Sequence, residues 1–297
     1  MNDPHPARAR KNWDVRYFTH LIFNNTSVFF SKKKCRIILL HNPCPNTLEE
    51  ILALLCRIGP FVRYSTMIGA VKAARPVPPG FVLTFDDGYR ENMELLEVLD
   101  EYDCKAVFFL STGAIDSDNP LWFMNLDADQ VDVKSQLKDL DYSSFLAAID
   151  KMGLTAPSRA RGRFGLRSED VRTLLERGHE IGVHTESHPF LTKLSDKEIR
   201  YEVIESLKRL RSITENDALP LHFAYPDGEY DERVVSVLKD CGASSACTLD
   251  AAPTTTMASP LKIPRYCLGD ADLPGVALFK LTPFYKAIQA IDTKGPY

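Results

Sequence analysis

The 297-residue sequence lacks any apolar run approaching the ~20 residues that a membrane span requires. Residues 18–30 are interrupted by Thr19, His20, Asn24, Asn25, Thr26 and Ser27, so no secretory leader is expected. Paired cysteines are lacking too. The seven cysteines are odd in number and include no C-x-x-C, which argues against a disulfide framework and a cysteine zinc site. A cytoplasmic protein in a reducing compartment is the expectation. No internal repeat is visible. A 44% hydrophobic and 26% charged composition excludes a disordered or collagen-like chain.

Acidic residues are scarce at the N-terminus, and residues 151–167 hold none. Residues 1–36 hold eight Lys or Arg against two Asp, a local balance of +6 in a chain of net charge −4, which leaves −10 for the remainder. The run Lys32-Lys33-Lys34 offers peripheral contact with a membrane or a lipid-linked substrate, although such a run is more often simply a solvated surface. Nothing beyond this run supports nucleic-acid binding.

What is present is an alternation of short apolar runs and amphipathic segments. Strands are expected at 36–40, 81–85, 105–110, 179–183, 221–225, 243–248 and 262–267. Helices are expected at 48–58 (capped by Asn46 or Thr47), 91–102, 168–177, 195–213, 231–240 and 276–291. Ser195 and Glu198 form a capping box, and Gly178 is a stop signal. Strand–helix alternation predicts a parallel α/β fold. Residues 116–167 lack a clear strand and read as an insertion, with 1–35 as an N-terminal extension and 36–297 as one catalytic domain.

Five of the apolar runs end in reactive groups: His41, Asp86-Asp87-Gly88, His184, Pro226-Asp227-Gly228 and Arg265. In a parallel barrel the C-terminal strand ends share one face, so these groups are expected in one pocket. His184 and His188, four apart, can face one cation, and imidazole plus carboxylate suits a catalytic divalent metal. Neighbouring side chains on an extended segment point opposite ways, so Asp86 and Asp87 are expected to play different parts.

Thr84-Phe85-Asp86-Asp87-Gly88, His184-Thr185-Glu186-Ser187-His188 and Phe223-Ala224-Tyr225-Pro226-Asp227-Gly228 together resemble the polysaccharide deacetylases, which share the NodB homology domain and form carbohydrate esterase family 4. The resemblance runs from about His41 to Arg265. It implies a distorted (β/α)7 TIM-like barrel and metal-dependent removal of an acyl group from an N-acylated sugar or glycan. By motif position, Asp87, His184 and His188 are the implied ligands of one divalent ion, zinc first, with cobalt, nickel and manganese as alternatives. Asp86 is the implied base.

Two departures matter. The family's usual Leu-x-His near the C-terminus is absent, since no His follows His222. Leu39-Leu40-His41 is similar to the arrangement of a circularly permuted branch, which makes His41 the candidate acid. The Arg that braces the base in many members is replaced by His222-Phe223-Ala224, and Arg265 is the candidate substitute. A backbone N–H of Tyr225 or a neighbour in the Tyr225-Pro226-Asp227 turn is expected to hold the oxyanion. Trp122 and Phe123 could stack on a sugar ring, although clustered aromatics are more often core. Likewise Arg159–Arg167 could bind an anionic glycan or be a solvated loop. His179 and His222 read as structural. An O-acetyl esterase, or a glycan-binding protein without catalysis, would share the fold. The acyl group, the sugar and the oligomeric state are left open.

Overall fold

The computed structural model describes residues 34–126, 131–156, 164–255, 258–282 and 285. The basic N-terminal run and most of the 159–167 arginine cluster lie outside these residues. The fold rests on seven strands: β1 (Cys35–Leu40), β2 (Gly80–Asp87), β3 (Val107–Leu110), β4 (Glu180–Val183), β5 (His222–Ala224), β6 (Ser245–Cys247) and β7 (Tyr266–Cys267). Their spatial order is β6-β5-β4-β3-β2-β1-β7, and every pairing is parallel. Parallel neighbours need long crossovers, which helices supply. These are α1 (Pro45–Leu55), α2 (Tyr64–Lys72), α3 (Leu96–Glu101), α4 (Val131–Lys138), α5 (Tyr142–Lys151), α6 (Ser168–Glu176), α7 (Asp196–Thr214), α8 (Glu232–Asp240) and α9 (Pro274–Lys280).

One short segment curls the sheet into the distorted barrel that was expected. Tyr266 and Cys267 pair with Ile38 and Leu39 of β1. Three residues upstream, Ile263 bridges Cys247 of β6, donating its N–H to Ala246 O and accepting from Thr248 N–H. Residues 263–267 therefore touch both edges of the sheet.

The period of two along each strand divides the side chains into two cores. Phe81, Leu83 and Phe85 of β2 face the helices, as do Phe108, Leu110, Ile181 and Val183. Val82, Val107, Phe109, Ala224, Cys247 and Ile263 fill the barrel interior, where Tyr64, Met67, Ile68 and Val71 of α2 join them. Each of the buried Val, Leu, Ile, Phe and Met side chains among them contributes about 1.5–3 kcal/mol of hydrophobic stabilisation. Gly182 is required in β4, because a Cβ there would lie 2.4 Å from the Phe109 ring. The loop before α2 exchanges hydrogen bonds with Phe81 at the start of β2, and Ser65 bonds Glu180 at the start of β4. The helix thus closes the end where the strands begin. The opposite end carries the polar groups.

Several elements differ from the sequence expectation. Neither Asn46 nor Thr47 caps α1; Cys44 is the N-cap, and Pro45 supplies the pre-set φ of a first helical residue. Residues 91–102 are not one helix. A 3-10 turn, Arg90–Leu95, precedes α3, and within it Asn92 is fully buried with its amide donated to His41 O. No element was expected where α2 lies. The C-terminal helix is observed as Pro274–Lys280, and the end of its expected range lies outside the described residues. The capping box at Ser195 and Glu198 opens α7, and Gly178 takes φ 82° after α6. The insertion holds α4 and α5. They enclose a small core of Trp122, Leu137, Phe145, Ile149 and Leu154, which Phe190 joins from the barrel. All seven cysteines are free, and burial pushes Cys35 and Cys104 up to about 12.

Candidate active site

Asp86 and Asp87 end β2 and diverge as expected. Asp86 continues the inward-facing series, whereas Asp87 takes φ 75°, which turns its carboxylate towards the end of β4. Both are almost fully buried, at 2% and 3% exposure. A buried carboxylate is costly unless its oxygens are satisfied, and the two are satisfied differently.

Asp86 is held by Arg265. Nη1 lies 2.8 Å from Oδ1 and Nη2 2.8 Å from Oδ2, a two-pronged pair. The guanidinium is completely buried, donates Nε–H to Thr248 O and Nη1–H to Thr84 Oγ1, and lies 5.5 Å above the Phe109 ring. Burial alone would lower Arg265; the Asp86 charge and hydrogen bonds raise it well above its usual range.

Asp87 faces two imidazoles. Its Oδ1 lies 3.3 Å from His184 Nε2 and 3.5 Å from His188 Nε2, yet this buried oxygen has no hydrogen-bond partner. His184 Nδ1 is 2.8 Å from Ala224 O, so Nδ1 carries the hydrogen and Nε2 presents a lone pair to the carboxylate. Oxygen and nitrogen lone pairs face each other across a gap that a cation fits. One ligand atom each from Asp87, His184 and His188 lies within 4.8 Å of the others, and this donor set suits a divalent metal with an open position. Burial lowers His188 to about 4 despite the Asp87 charge, which leaves it neutral as a ligand must be. For His184, burial is outweighed by the charges of Asp86 and Asp87.

A cavity of about 360 Å³ opens over these groups. Its lining includes His41, Asp86, Asp87, His184, His188, Tyr225, Asp227 and Arg265. Nearly all the site residues singled out from the sequence therefore meet in one place. His41 follows β1, with its N–H donated to Asp270 Oδ1, and Asp270 itself lines the cavity.

Three expectations need correction. Trp122 is 2% exposed and does not line the cavity; it packs in the insertion core and donates Nε1–H to His188 O at 2.9 Å. Its neighbour Phe123 does line the cavity, with its ring 4.4 Å from that of His188. Pro226 is buried and is not part of the lining. The Tyr225 N–H is committed to Cys247 O, so it is not free for an oxyanion.

Lys134 on α4 also lines the cavity, which nothing in the sequence indicated. Lys134 Nζ is 2.5 Å from Asp227 Oδ1, while Lys138 bonds Asp227 Oδ2 at 3.2 Å and Glu229 at 2.6 Å. The insertion thus forms one wall of the cavity. The contact links residues some ninety positions apart, and no local pattern reports it.

The fold and the site together define a (β/α) barrel with an Asp-His-His donor set at its strand ends. A polysaccharide deacetylase family model matches residues 74–246, and the chain belongs to that family. Asp86, Asp87, His184 and His188 lie within the match; His41 and Arg265 lie outside it. Chitin deacetylase 1 of Saccharomyces cerevisiae is 39% identical over 69 residues, 23% of this chain and 22% of that protein. Chitooligosaccharide deacetylase of a Bradyrhizobium species is 30% identical over 77 residues, 26% of this chain and 35% of that protein. The chain thus spans between about a fifth and a third of the length of these relatives. Among solved structures, Streptococcus pyogenes deacetylase PplD in complex with acetate matches at TM-score 0.62 and 17% identity, over 84% of this chain and 99% of that one. IcaB from Ammonifex degensii matches at TM-score 0.60 and 16% identity, over 84% and 98%. These two likenesses establish the fold.

Proposed function

We propose that this chain is a metal-dependent deacylase that hydrolyses the amide of an N-acylated sugar or glycan, with acetyl as the acyl group. The observation that carries the reading is the pairing of two differently held carboxylates. Asp87 faces two imidazoles around a cation-sized gap, and Asp86 beside it is fixed by Arg265.

A divalent ion held by Asp87, His184 and His188, with zinc first among candidates, would polarise the acyl carbonyl and acidify water. Asp86 takes the proton from the attacking water. Arg265 occupies one lone pair on each of its oxygens and leaves the others to accept. Its rigid fork also stops the carboxylate rotating away, which keeps the base oriented. Pro226 has no N–H and Tyr225 N–H is committed, so the first free donor of the turn is Asp227 N–H, assigned here to the developing oxyanion. His41, on the cavity wall, gives a proton to the departing nitrogen, because an amine leaves poorly as its anion. The products are the free amine and a carboxylate. Phe123 offers an apolar face for a sugar ring. The placement of His41 directly after β1, the strand beside β2, supports the permuted arrangement as part of this reading.

The test is acetate release from N-acetylated chitooligosaccharides by the purified chain, with its metal content measured in parallel. Chelation should abolish turnover and added zinc should restore it. Turnover that persists in protein stripped of metal would overturn the reading. Release from O-acetylated sugars alone would make the enzyme an esterase instead.

A further inference from the structure

The loop from His184 to His188 is an unusual piece of backbone. Thr185 and His188 both adopt positive φ, 67° and 55°, and neither is glycine. Non-glycine residues hold that region only when their surroundings over-determine them. Two sets of contacts do so here. On one side, Thr112 N–H and Gly113 N–H donate to Thr185 O and Glu186 O at 3.1 and 2.8 Å. That approach requires glycine, since a Cβ on Gly113 would lie 2.6 Å from Glu186 O. On the other side stands Glu202, from the buried face of α7.

Glu202 is 3% exposed and plays no part in the reaction proposed above. Its Oε2 accepts both Glu186 N–H and Ser187 N–H at 2.9 Å, and its Oε1 accepts Ser187 O–H at 2.7 Å. The three donors all belong to the residues between the two histidines. Within the loop, Thr185 Oγ1 accepts His188 N–H at 3.0 Å. From outside, Trp122 Nε1–H holds His188 O. A buried carboxylate is a poor choice for filling space, because leucine would fill it without the cost of desolvation. It is a good choice for gathering two backbone donors and a hydroxyl that no helix or strand satisfies.

We propose that Glu202 is a positioning residue for the metal site: it holds the strained His184–His188 loop in the one conformation in which both Nε2 atoms face Asp87 Oδ1. The inference rests on the metal-dependent reading. Without Glu202, the loop can relax into ordinary backbone space, and His188 swings away from the gap. The site then binds the ion more weakly even though every ligand is still present. Outer contacts of this kind typically carry ten- to a hundredfold in metal affinity.

The experiment measures zinc affinity of the full chain by competition with a chromophoric chelator, and the thermal midpoint of the metal-free protein. The variants are Glu202→Gln, Glu202→Ala and Ser187→Ala. Glu202→Gln keeps the shape and can keep all three contacts, its amide oxygen accepting Glu186 N–H and Ser187 N–H and its NH2 donating to Ser187 Oγ, so that only the charge is lost, whereas Glu202→Ala removes the contacts outright. Weakening of zinc affinity by about tenfold or more in Glu202→Ala, with recovery towards the parental value in Glu202→Gln, supports the inference. A smaller loss is expected in Ser187→Ala, which forfeits one of the three bonds and stays informative if Glu202→Ala does not fold. Unchanged zinc affinity in the folded alanine variants, whatever their midpoint, would overturn the positioning role and reduce Glu202 to a structural one. Failure of the parent chain to bind zinc or another divalent ion would instead overturn the metal site itself.

Discussion

Arg265 grips Asp86 with both ends of its guanidinium, at 2.8 Å on each side, across 179 positions of sequence and with both groups almost fully buried. The pair is possible because residues 263–267 close the barrel between β6 and β1, which points Arg265 inward beneath the β2 terminus. Two charges of opposite sign taken out of water together are tolerable; either one alone is not.

Arg265→Met is therefore expected to cost about 3–5 kcal/mol of folding stability, because it strands the Asp86 carboxylate in the interior. Arg265→Lys keeps the charge but contacts one oxygen at a time, so a smaller loss of stability and a loss of turnover should accompany it. Urea unfolding of the two variants checks the order. Equal stability of Arg265→Met and the parent would remove the pair from the account of the core.

Asp86→Asn keeps a side chain of the same shape but cannot accept the proton. Turnover should fall by about 10²-fold or more while metal content stays at the parental level. The comparison of acetate release with bound metal separates Asp86 from Asp87, whose substitution should remove both together. Full activity in Asp86→Asn would end its assignment as base.

His179 predicts an acid-sensitive contribution to stability well away from the metal site. Its Nδ1 accepts Ala106 N–H at 3.2 Å, which requires the neutral ring, and its Nε2 is buried without a partner. Burial, reinforced by Lys105, lowers it from 6.5 to about 4. The folded value lies below the unfolded one, so the unfolded chain binds the extra proton first. Stability from this group is complete above pH 6.5 and is lost as pH falls towards 4, by an amount on the order of 1–3 kcal/mol. His222 and His188 are lowered to about 4 as well, so the parent chain should show a steep loss over the same window. His179→Gln, whose amide oxygen can still accept from Ala106, should make that slope shallower. An unchanged slope would show that the imidazole contributes nothing to it.

Trp122→Phe removes only the indole N–H and part of the ring. It leaves His188 O without its donor, a loss of about 1–3 kcal/mol for a buried polar group. Chemical unfolding of the metal-free chain reads this directly. Addition of a sugar ligand should leave the Trp122 fluorescence unshifted, because the indole sits in the insertion core and not on the cavity wall. A ligand-dependent shift that survives in Phe123→Leu would place Trp122 in the site after all.

Much of the fold was legible from residue order. Short continuous apolar runs ending in His41, Asp86-Asp87 and His184 announced strands with chemistry at their tips. What escaped notice was of two kinds. Helix α2 has Met67, Ile68 and Val71 facing the barrel interior, and its short length gives little periodic signal. The roles of Trp122 and Phe123 could not be separated in sequence, because adjacent residues of a 3-10 turn face different ways only once Phe145 and Phe190 surround one of them.

The sequence by itself determined the parallel α/β class, because short apolar runs alternating with amphipathic segments are local properties of the chain, and it named Asp87, His184 and His188 through the resemblance of their motifs to a family pattern. The tertiary structure decided that Arg265, a candidate in the sequence, grips Asp86, and it alone brought Lys134 of the insertion to the cavity wall and Glu202 to the loop between the histidines. Each of these depends on a side chain that crosses from a distant element into a low-dielectric interior, where partners are selected by closure of the barrel and by the cost of leaving a buried polar group unpaired.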